Sequence, residues 1–329
     1  MNKLVRAAQT SQSLSLAAME EASRFGLREA DIEHLLLALV INDQSAGRAL
    51  RSVGIDLEAA RRAVEEQHEA QLASIGIEAS FPEAGRIVFH ETDGYEWNPR
   101  ALEIITKSSG KNKTGDAAAV LRELVTEPSG LITEILGRLG TTSDTLLKQL
   151  DQFDSPAQKT TPAAEKVKGW ISGSSETFVS ASMEMVWEFL TDPTRVPEWE
   201  PSIGSVEHGG QEATVGAVWQ GLAPTRHPDG KSVKIKPQFR RRSIELVAAH
   251  RPERIAWGFA HPDVARSSSV LTEFTLMNAT GGTQVQITKS WSRRHGWRSL
   301  VALPLRPIQK FLAWITLFQT GSAISRAFR

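Results

Sequence analysis

Cysteine is absent from the 329-residue sequence, and its absence excludes several kinds of chemistry. Without a thiol the chain cannot form disulfide bonds, bind a metal through thiolates or use a cysteine nucleophile. A protein without disulfides is typical of a reducing compartment, and we therefore expect a cytoplasmic location.

Long hydrophobic runs are also missing. The first residues carry Lys3 and Arg6 and lead into the polar run 9–13, so we find no apolar core of a signal peptide and expect no export. The most apolar stretch, 300–318, is interrupted by two prolines and by charged residues. It falls short of the uninterrupted run that crosses a bilayer, so we expect a packed helix and no stable membrane insertion.

Common catalytic and nucleotide-binding motifs are missing as well. The eight histidines are scattered singly, without a His-Glu-X-X-His pattern, so the sequence predicts no metal site. No Gly-X-Ser-X-Gly motif marks a nucleophile. The pair Gly110-Lys111 cannot belong to a phosphate-binding loop, because Ile105 stands where the first glycine is needed. We therefore predict no ATPase activity, no cofactor and no catalytic residue.

The charges balance over the whole chain but not within its halves. The chain has 38 basic and 38 acidic residues. Residues 1–167 contain 18 basic and 25 acidic residues, a net charge of −7, and the residues after Val167 contain 20 basic and 13 acidic residues, a net charge of +7. Opposite charges of this size can steer partners, although two ordinary solvated surfaces are the favoured explanation. The short basic clusters 240–242 and 293–295 are interpreted as solvated strand edges, and no nucleic-acid partner is expected.

Tryptophan usage divides the chain into two parts. Trp97 is the only tryptophan before Trp170, and the other eight lie from there to Trp314. Between the two parts, residues 155–168 are rich in proline, threonine, alanine and lysine and show no apolar periodicity. We therefore predict an amino-terminal domain, 1–153, a linker, 154–169, and a carboxy-terminal domain, 170–329.

The first domain is predicted to be all-α and to contain an internal repeat. Apolar residues recur at spacings of three and four, and the same order of helices returns about 85 residues later. The predicted helices are 13–25, 32–40, 46–53 and 57–67 in the first repeat and 99–107, 117–125, 131–139 and 142–150 in the second.

One segment of the first repeat resembles a known family. Residues 34–39 read His-Leu-Leu-Leu-Ala-Leu, follow Ile32-Glu33, and precede an Ala-Leu-Arg-X-X-Gly-X-Asp-Leu pattern at 49–57. This arrangement resembles the Clp repeat in the amino-terminal domain of the Clp ATPases, over roughly residues 1–153. The second repeat is degenerate, because Ala118 stands at the position of Glu33.

The resemblance implies a protein-binding role. In the Clp ATPases this domain recruits adaptors and substrates, and in some members a glutamate before the motif helps to hold phosphorylated arginine. It therefore implies that Glu33 and His34 bind a peptide or phosphoarginine, and that the partners are Clp protease components, adaptors or substrate proteins. The alternative is structural: a glutamate stabilises a helix start by about 0.3–1 kcal/mol, and His34 can be a packed helix residue.

The second domain changes to the alternating pattern of strands and resembles another superfamily. Residues 255–259, 270–276 and 285–291 alternate large and small or polar side chains, with a hairpin turn expected at Gly281-Gly282. Residues 178–193, followed by Val-Pro-Glu-Trp at 196–199, resemble the opening of the START-like (SRPBCC) superfamily, which includes polyketide cyclases. The resemblance implies an α+β helix-grip fold, in which an antiparallel sheet wraps around a long carboxy-terminal helix and encloses a cavity.

Aromatic side chains are the candidates for lining this cavity around an apolar small molecule. Their alternative role is to fill an ordinary half-buried core. An enzyme of the cyclase or dehydratase type, our second hypothesis beside a non-catalytic binding protein, would also need a buried acid or base. The eligible residues are Glu273, Lys289, His250 and His261, with Glu273 expected on the face opposite Phe274. The candidate lining residues are Trp219, Phe239, Trp257, Phe274, Trp291 and Phe311.

Overall fold

The computed structural model divides the chain into two compact units, residues 1–160 and 161–329. We call them the helical unit and the sheet unit. The domain limits predicted above stay predictions, because the predicted linker, apart from Asp154, lies outside the described residues. The structure describes residues 3–78, 84–87, 94–154, 170–207, 213–226, 230–264, 269–292 and 306–329, with the backbone alone at 3–6, 170–171 and 306–312.

The helical unit contains the predicted helices in the predicted order. Two short parallel strands pair with each other: β1 (Glu29–Ala30), between the first two helices, and β2 (Glu96–Trp97), just before the second repeat. The helices are α1 (Lys3–Ser23), α2 (Ile32–Val40), α3 (Ser45–Ser52), α4 (Leu57–Ser74), α5 (Pro99–Ser108), α6 (Ala117–Leu124), α7 (Leu131–Arg138) and α8 (Ser143–Phe153).

Helix α2 forms the centre of this unit. All nine of its residues are buried, as expected of a helix that is apolar on every side, and it packs against α1, α3, α4, α6 and α7. The side chain of Arg51 caps its carboxyl end: Nη1 donates to the Val40 oxygen at 2.5 Å and to the Asn42 oxygen at 3.0 Å. Burial lowers the pKa of Arg51 to about 10, so the side chain stays charged at neutral pH.

The sheet unit has the predicted helix-grip fold. Its strands form one antiparallel sheet in the order β3-β9-β8-β7-β6-β5-β4, and the last helix packs against β3, β9 and α10. The strands are β3 (Trp170–Val179), β4 (Ser205–Val206), β5 (Val218–Leu222), β6 (Arg241–His250), β7 (Arg254–Ala260), β8 (Val270–Ala279) and β9 (Gly282–Ser292). The helices are α9 (Met183–Thr191), α10 (Val196–Trp199) and α11 (Arg306–Arg326).

The hairpin between β8 and β9 lies one residue earlier than predicted. Its turn is Thr280-Gly281, and Gly281 has a φ of 76°. Gly282 is instead the first residue of β9, where a Cβ would lie 2.1 Å from the oxygen of Val179. The two glycines therefore serve different purposes: the first adopts a left-handed turn conformation and the second allows close approach of β3.

The sheet face that packs against α11, called the inner face here, carries the core of the unit. In one row across it, Trp257 on β7 pairs with Thr272 on β8, which pairs with Lys289 on β9. Lys289 pairs in turn with Gly173 on β3, where an added Cβ would lie 3.1 Å from Leu317 of α11. The row therefore runs towards the helix that covers the sheet.

Candidate binding sites

The start of α2 places Glu33 and His34 in a defined geometry. The carboxylate of Asp31 caps the helix by accepting from the Ile32 N–H at 2.7 Å. The Asp31 N–H in turn donates to His34 Nδ1 at 3.1 Å, which completes a reciprocal capping box. His34 therefore has a structural role in addition to any role in binding.

Both predicted residues line one small pocket of about 80 Å³ in the helical unit. Its walls combine apolar side chains with acidic and basic ones, contributed by α2, α4 and the segment that follows α1. The lining residues are Phe25, Leu27, Glu33, His34, Leu37, Arg61, Val64, Glu65 and His68.

Glu33 is charged within this pocket. Burial raises its pKa, but the contact with the His68 side chain and the electrostatic influence of the neighbouring imidazoles outweigh burial, so the pKa of Glu33 lies below its ordinary value of 4.5. The Oε1 atom lies 3.7 Å from His68 Nε2, and the Oε2 atom lies 3.9 Å from Arg100 Nη2. Oε2 is buried and has no hydrogen-bond partner among the described residues.

His34 is neutral at physiological pH. Burial lowers the pKa of His34 below its ordinary value of 6.5, against the opposing effect of the carboxylates of Glu33 and Asp31. The hydrogen bond that Nδ1 accepts from the Asp31 N–H also requires this nitrogen to be unprotonated. The 3.6 Å contact between His34 Nδ1 and Glu33 Oε1 is therefore not an ion pair at neutral pH.

Acid is expected to destabilise the helical unit through His34. Below pH 6.5 His34 binds a proton in the unfolded chain but stays neutral in the folded protein, because its folded pKa is lower. The free energy of unfolding therefore falls with pH until the pH passes the folded pKa. Glu33 adds to this loss only below pH 4.5. Urea titrations followed by circular dichroism should show the decrease as the pH falls below 6.5.

The matched variant for this test is His34→Gln. Glutamine can complete the same capping box but does not titrate. We expect the variant to show a smaller decrease in stability over this pH range. An unchanged decrease would exclude His34 as its origin.

Two residues of this site were missed by the sequence analysis. His68 comes from α4, and Arg100 comes from α5 in the second repeat, where Nε donates to Asp31 Oδ1 at 2.7 Å and to Oδ2 at 2.8 Å. No local pattern marks either residue as a neighbour of Glu33, since 35 and 67 positions separate them in sequence. The equivalent place in the second repeat holds the buried Ala118, which offers no carboxylate.

In the sheet unit, the predicted lining residues are distributed unequally. Trp219, Trp257 and Phe274 are buried in the core of the inner face, and the Trp219 and Trp257 rings lie 5.7 Å apart. Trp291 is half-buried on β9. Phe239 lies outside this core, in a turn before β6, with its ring 5.3 Å from that of His261. The side chain of the remaining candidate, Phe311, lies outside the described residues.

A buried ion pair also lies on the inner face. Lys289 and Glu200 are 1% and 4% exposed, and Lys289 Nζ donates to Glu200 Oε2 at 2.7 Å. The other carboxylate oxygen accepts from the Ser202 hydroxyl at 2.8 Å. Lys289 was an eligible acid or base in the sequence, but Glu200, 89 positions earlier, was not recognised.

The other eligible groups are not placed in this core. Glu273 pairs with Arg254 at 2.8 Å, on the face opposite Phe274 as expected. His250 is exposed, and His261 Nδ1 lies 2.6 Å from Arg242 Nη1. The basic cluster 240–242 is therefore only partly solvated, since Arg242 is buried.

The described residues were also searched for metal-binding groups and for membrane-spanning helices. Within the described ranges, histidine, aspartate and glutamate residues form no group of three or more that could hold a metal ion. Among the same residues, no helix is both long enough and apolar enough to span a membrane.

Comparison with known families confirms both resemblances. Residues 7–81 match the Clp repeat (R) N-terminal domain, and residues 171–312 match the family described as polyketide cyclase / dehydrase and lipid transport. The first match ends before the second repeat begins. No curated protein matches the chain.

Several solved structures are similar to this chain. Protein CV1439 from Chromobacterium violaceum is 20% identical in sequence, with a TM-score of 0.31. The match covers 48% of this chain and 99% of CV1439. Protein MLL2253 from Mesorhizobium loti is 18% identical, covering 47% and 98%, with a TM-score of 0.31. The Polyketide_cyc-like protein Cgl2372 from Corynebacterium glutamicum is 16% identical, covering 49% and 93%, with a TM-score of 0.31.

Proposed function

We propose that this chain is a binding protein in which the helical unit holds a basic side chain of a partner protein and the sheet unit binds an apolar small molecule. The observation that carries the first part is the buried Glu33 Oε2 atom, which has no hydrogen-bond partner among the described residues and belongs to a pocket-lining side chain. The match of residues 7–81 to the Clp repeat supports a Clp protease component, adaptor or substrate as that partner.

The chemistry of the pocket favours an arginine side chain. Phe25, Leu37 and Val64 can contact its apolar stem, and the charged carboxylate of Glu33 can accept from its guanidinium group. Arg61, the arginine in the pocket lining, is already paired with Glu21: its Nε donates to Glu21 Oε2 and its Nη2 donates to Glu21 Oε1, each at 3.0 Å.

A phosphoryl group on the bound arginine would also find a cation. Arg100 Nη2 lies 3.9 Å from Glu33 Oε2, and the Arg100 side chain is 43% exposed. A phosphorylated guanidinium could therefore place its nitrogen atoms towards Glu33 and its phosphoryl oxygens towards Arg100, which supports phosphoarginine as a ligand.

Glu33→Gln is expected to weaken binding of phosphoarginine and of an arginine-containing peptide by about tenfold to a hundredfold. A hydrogen bond to a charged group contributes about 1.5–3 kcal/mol, and the amide keeps the shape of the side chain while losing its charge. Isothermal titration calorimetry on the full chain measures the change.

The matched control is Glu103→Gln. Glu103 lies on the exposed surface of α5 and pairs with Lys107 one helical turn away. This control should leave both affinities unchanged, because it removes the same charge outside the pocket lining. Equal affinities for wild type and Glu33→Gln would contradict the proposed site.

The second part of the proposal concerns the sheet unit. The aromatic inner face and the match of residues 171–312 to a family that includes lipid transport support an apolar small molecule as its ligand. Native mass spectrometry of the purified full chain tests both parts, since it detects a co-purified small molecule or a bound Clp subunit by its added mass.

An enzyme of the cyclase or dehydratase type is the second candidate, and the buried pair of Lys289 and Glu200 favours it. The pair supplies an acid and a base on the inner face, as such a reaction requires. Turnover of a polyketide-like substrate by the wild type, abolished in a variant that lacks both charges, would support the enzyme. Binding without turnover would support the non-catalytic protein.

A further inference from the structure

We propose that the interior of the sheet unit recognises a carbonyl oxygen on an otherwise apolar ligand, through hydrogen bonds from Thr272 and from the indole groups of Trp199 and Trp219, close to Lys289. This inference rests on the proposed binding of an apolar molecule and adds the functional group that the site selects. It is carried by buried donors that have no partner among the described residues.

The first step is the position of these residues in one part of the core of the sheet unit. Thr272 lies between Trp257 and Lys289 in the row that crosses β7, β8 and β9. The ring of Trp219 lies 5.7 Å from that of Trp257, and the ring of Trp199 lies 6.4 Å from it. Trp257 therefore lies close to Trp199 of α10 and to the other three residues on the inner face, so all four belong to one region of the core.

The second step is the state of their polar atoms. Trp199 and Thr272 are 0% exposed and Trp219 is 3% exposed, and within the described ranges neither indole nitrogen nor the Thr272 hydroxyl has a hydrogen-bond partner. Trp257, in the same region, shows the usual arrangement, since its Nε1 donates to the Leu190 oxygen at 2.8 Å. A buried donor without a partner costs about 1–3 kcal/mol, which an acceptor on a ligand would offset.

The third step is the balance of donors and charges. Both oxygens of Glu200 already accept, one from Lys289 and the other from Ser202. The ammonium group of Lys289 has three N–H donors, of which Glu200 takes one. The region therefore has an excess of donors, and the charges of Lys289 and Glu200 offset each other, so a neutral acceptor fits better than an ammonium group or a second buried carboxylate.

The test compares two probes that differ at one group, propionylnaphthalene and propylnaphthalene, with the full chain. Quenching of tryptophan fluorescence reports binding. We expect the ketone to bind more tightly, although the hydrocarbon leaves water more readily. Thr272→Val should weaken ketone binding by about fivefold to tenfold, the effect of one neutral hydrogen bond, and should change hydrocarbon binding by less than about twofold.

A matched control and a second variant complete the experiment. Thr275→Val changes the same residue type on the opposite face of β8 and should alter neither affinity. Trp219→Phe keeps a ring but removes the N–H, and should also weaken only the ketone. If neither probe binds, both the proposed apolar site and this inference fail. If both probes bind equally and Thr272→Val changes neither, the apolar site stands and the carbonyl recognition is overturned.

Discussion

Replacing Lys289 by methionine is expected to lower the free energy of unfolding of the sheet unit by about 3–5 kcal/mol. The substitution keeps much of the apolar stem but removes the ammonium group that donates to Glu200 at 2.7 Å. The carboxylate of Glu200, 4% exposed, would then remain buried, and among the described residues its hydrogen bonds would come from Ser202. The loss comes mainly from this uncompensated charge.

Urea unfolding followed by tryptophan fluorescence measures this effect, because eight of the nine tryptophans lie at or after residue 170. The double variant Glu200→Leu/Lys289→Met should recover most of the loss, since replacing both members of a buried ion pair by apolar residues is often close to neutral. Lys236→Met, at an exposed position, should change stability by less than about 0.5 kcal/mol. A single variant as stable as the double one would show that the pair is not needed to compensate the buried carboxylate.

Replacing Gly47 by alanine is expected to destabilise the helical unit by about 3 kcal/mol. Gly47 lies in α3, where an added Cβ would be 2.0 Å from the backbone oxygen of Asn42 and 2.8 Å from that of Leu39. Neither oxygen can move away freely, because both belong to the end of α2 or to the turn after it. The Cβ would also lie 2.8 Å from Arg51 Nη1, the group that closes α2.

Gly137→Ala in α7, the equivalent helix of the second repeat, is the matched control. A Cβ at Gly137 would meet nothing within 4 Å, and the position is exposed. Because alanine favours a helix over glycine by about 1 kcal/mol, this variant should be slightly more stable than the wild type. Urea unfolding followed by far-ultraviolet circular dichroism compares the two, and equal effects of both substitutions would contradict the close approach at Gly47.

The order of the helical elements follows from local sequence, although α1 begins ten residues before its predicted start. Helix α2 begins and ends where its apolar spacing predicts, since Asp31 supplies the cap and the pattern stops after Val40. Helix α4 instead continues seven residues beyond the predicted end at Gln67. Most of the residues beyond it are good helix formers, and they are largely solvated, so apolar periodicity gives no signal there.

In the candidate sites, some residues were indicated by the sequence and others were not. Glu33 and His34 were indicated by a motif that is continuous in sequence, and the structure places both at one pocket. His68, Arg100 and Glu200 were not recognised, because each reaches its site from a separate element and belongs to no local pattern. Their roles in binding stay predictions until the variants above are measured.

The sequence by itself determined the two kinds of fold, the internal repeat and the inward or outward direction of strand side chains, because these depend on spacing between near neighbours along the chain. Only the tertiary structure decided that Lys289 meets Glu200, that His68 and Arg100 approach Glu33, and that Trp199, Trp219 and Thr272 bury polar atoms in one region. Such contacts join residues far apart in sequence, and packing of whole elements brings them together. Their electrostatics depend on burial, which residue spacing alone does not define.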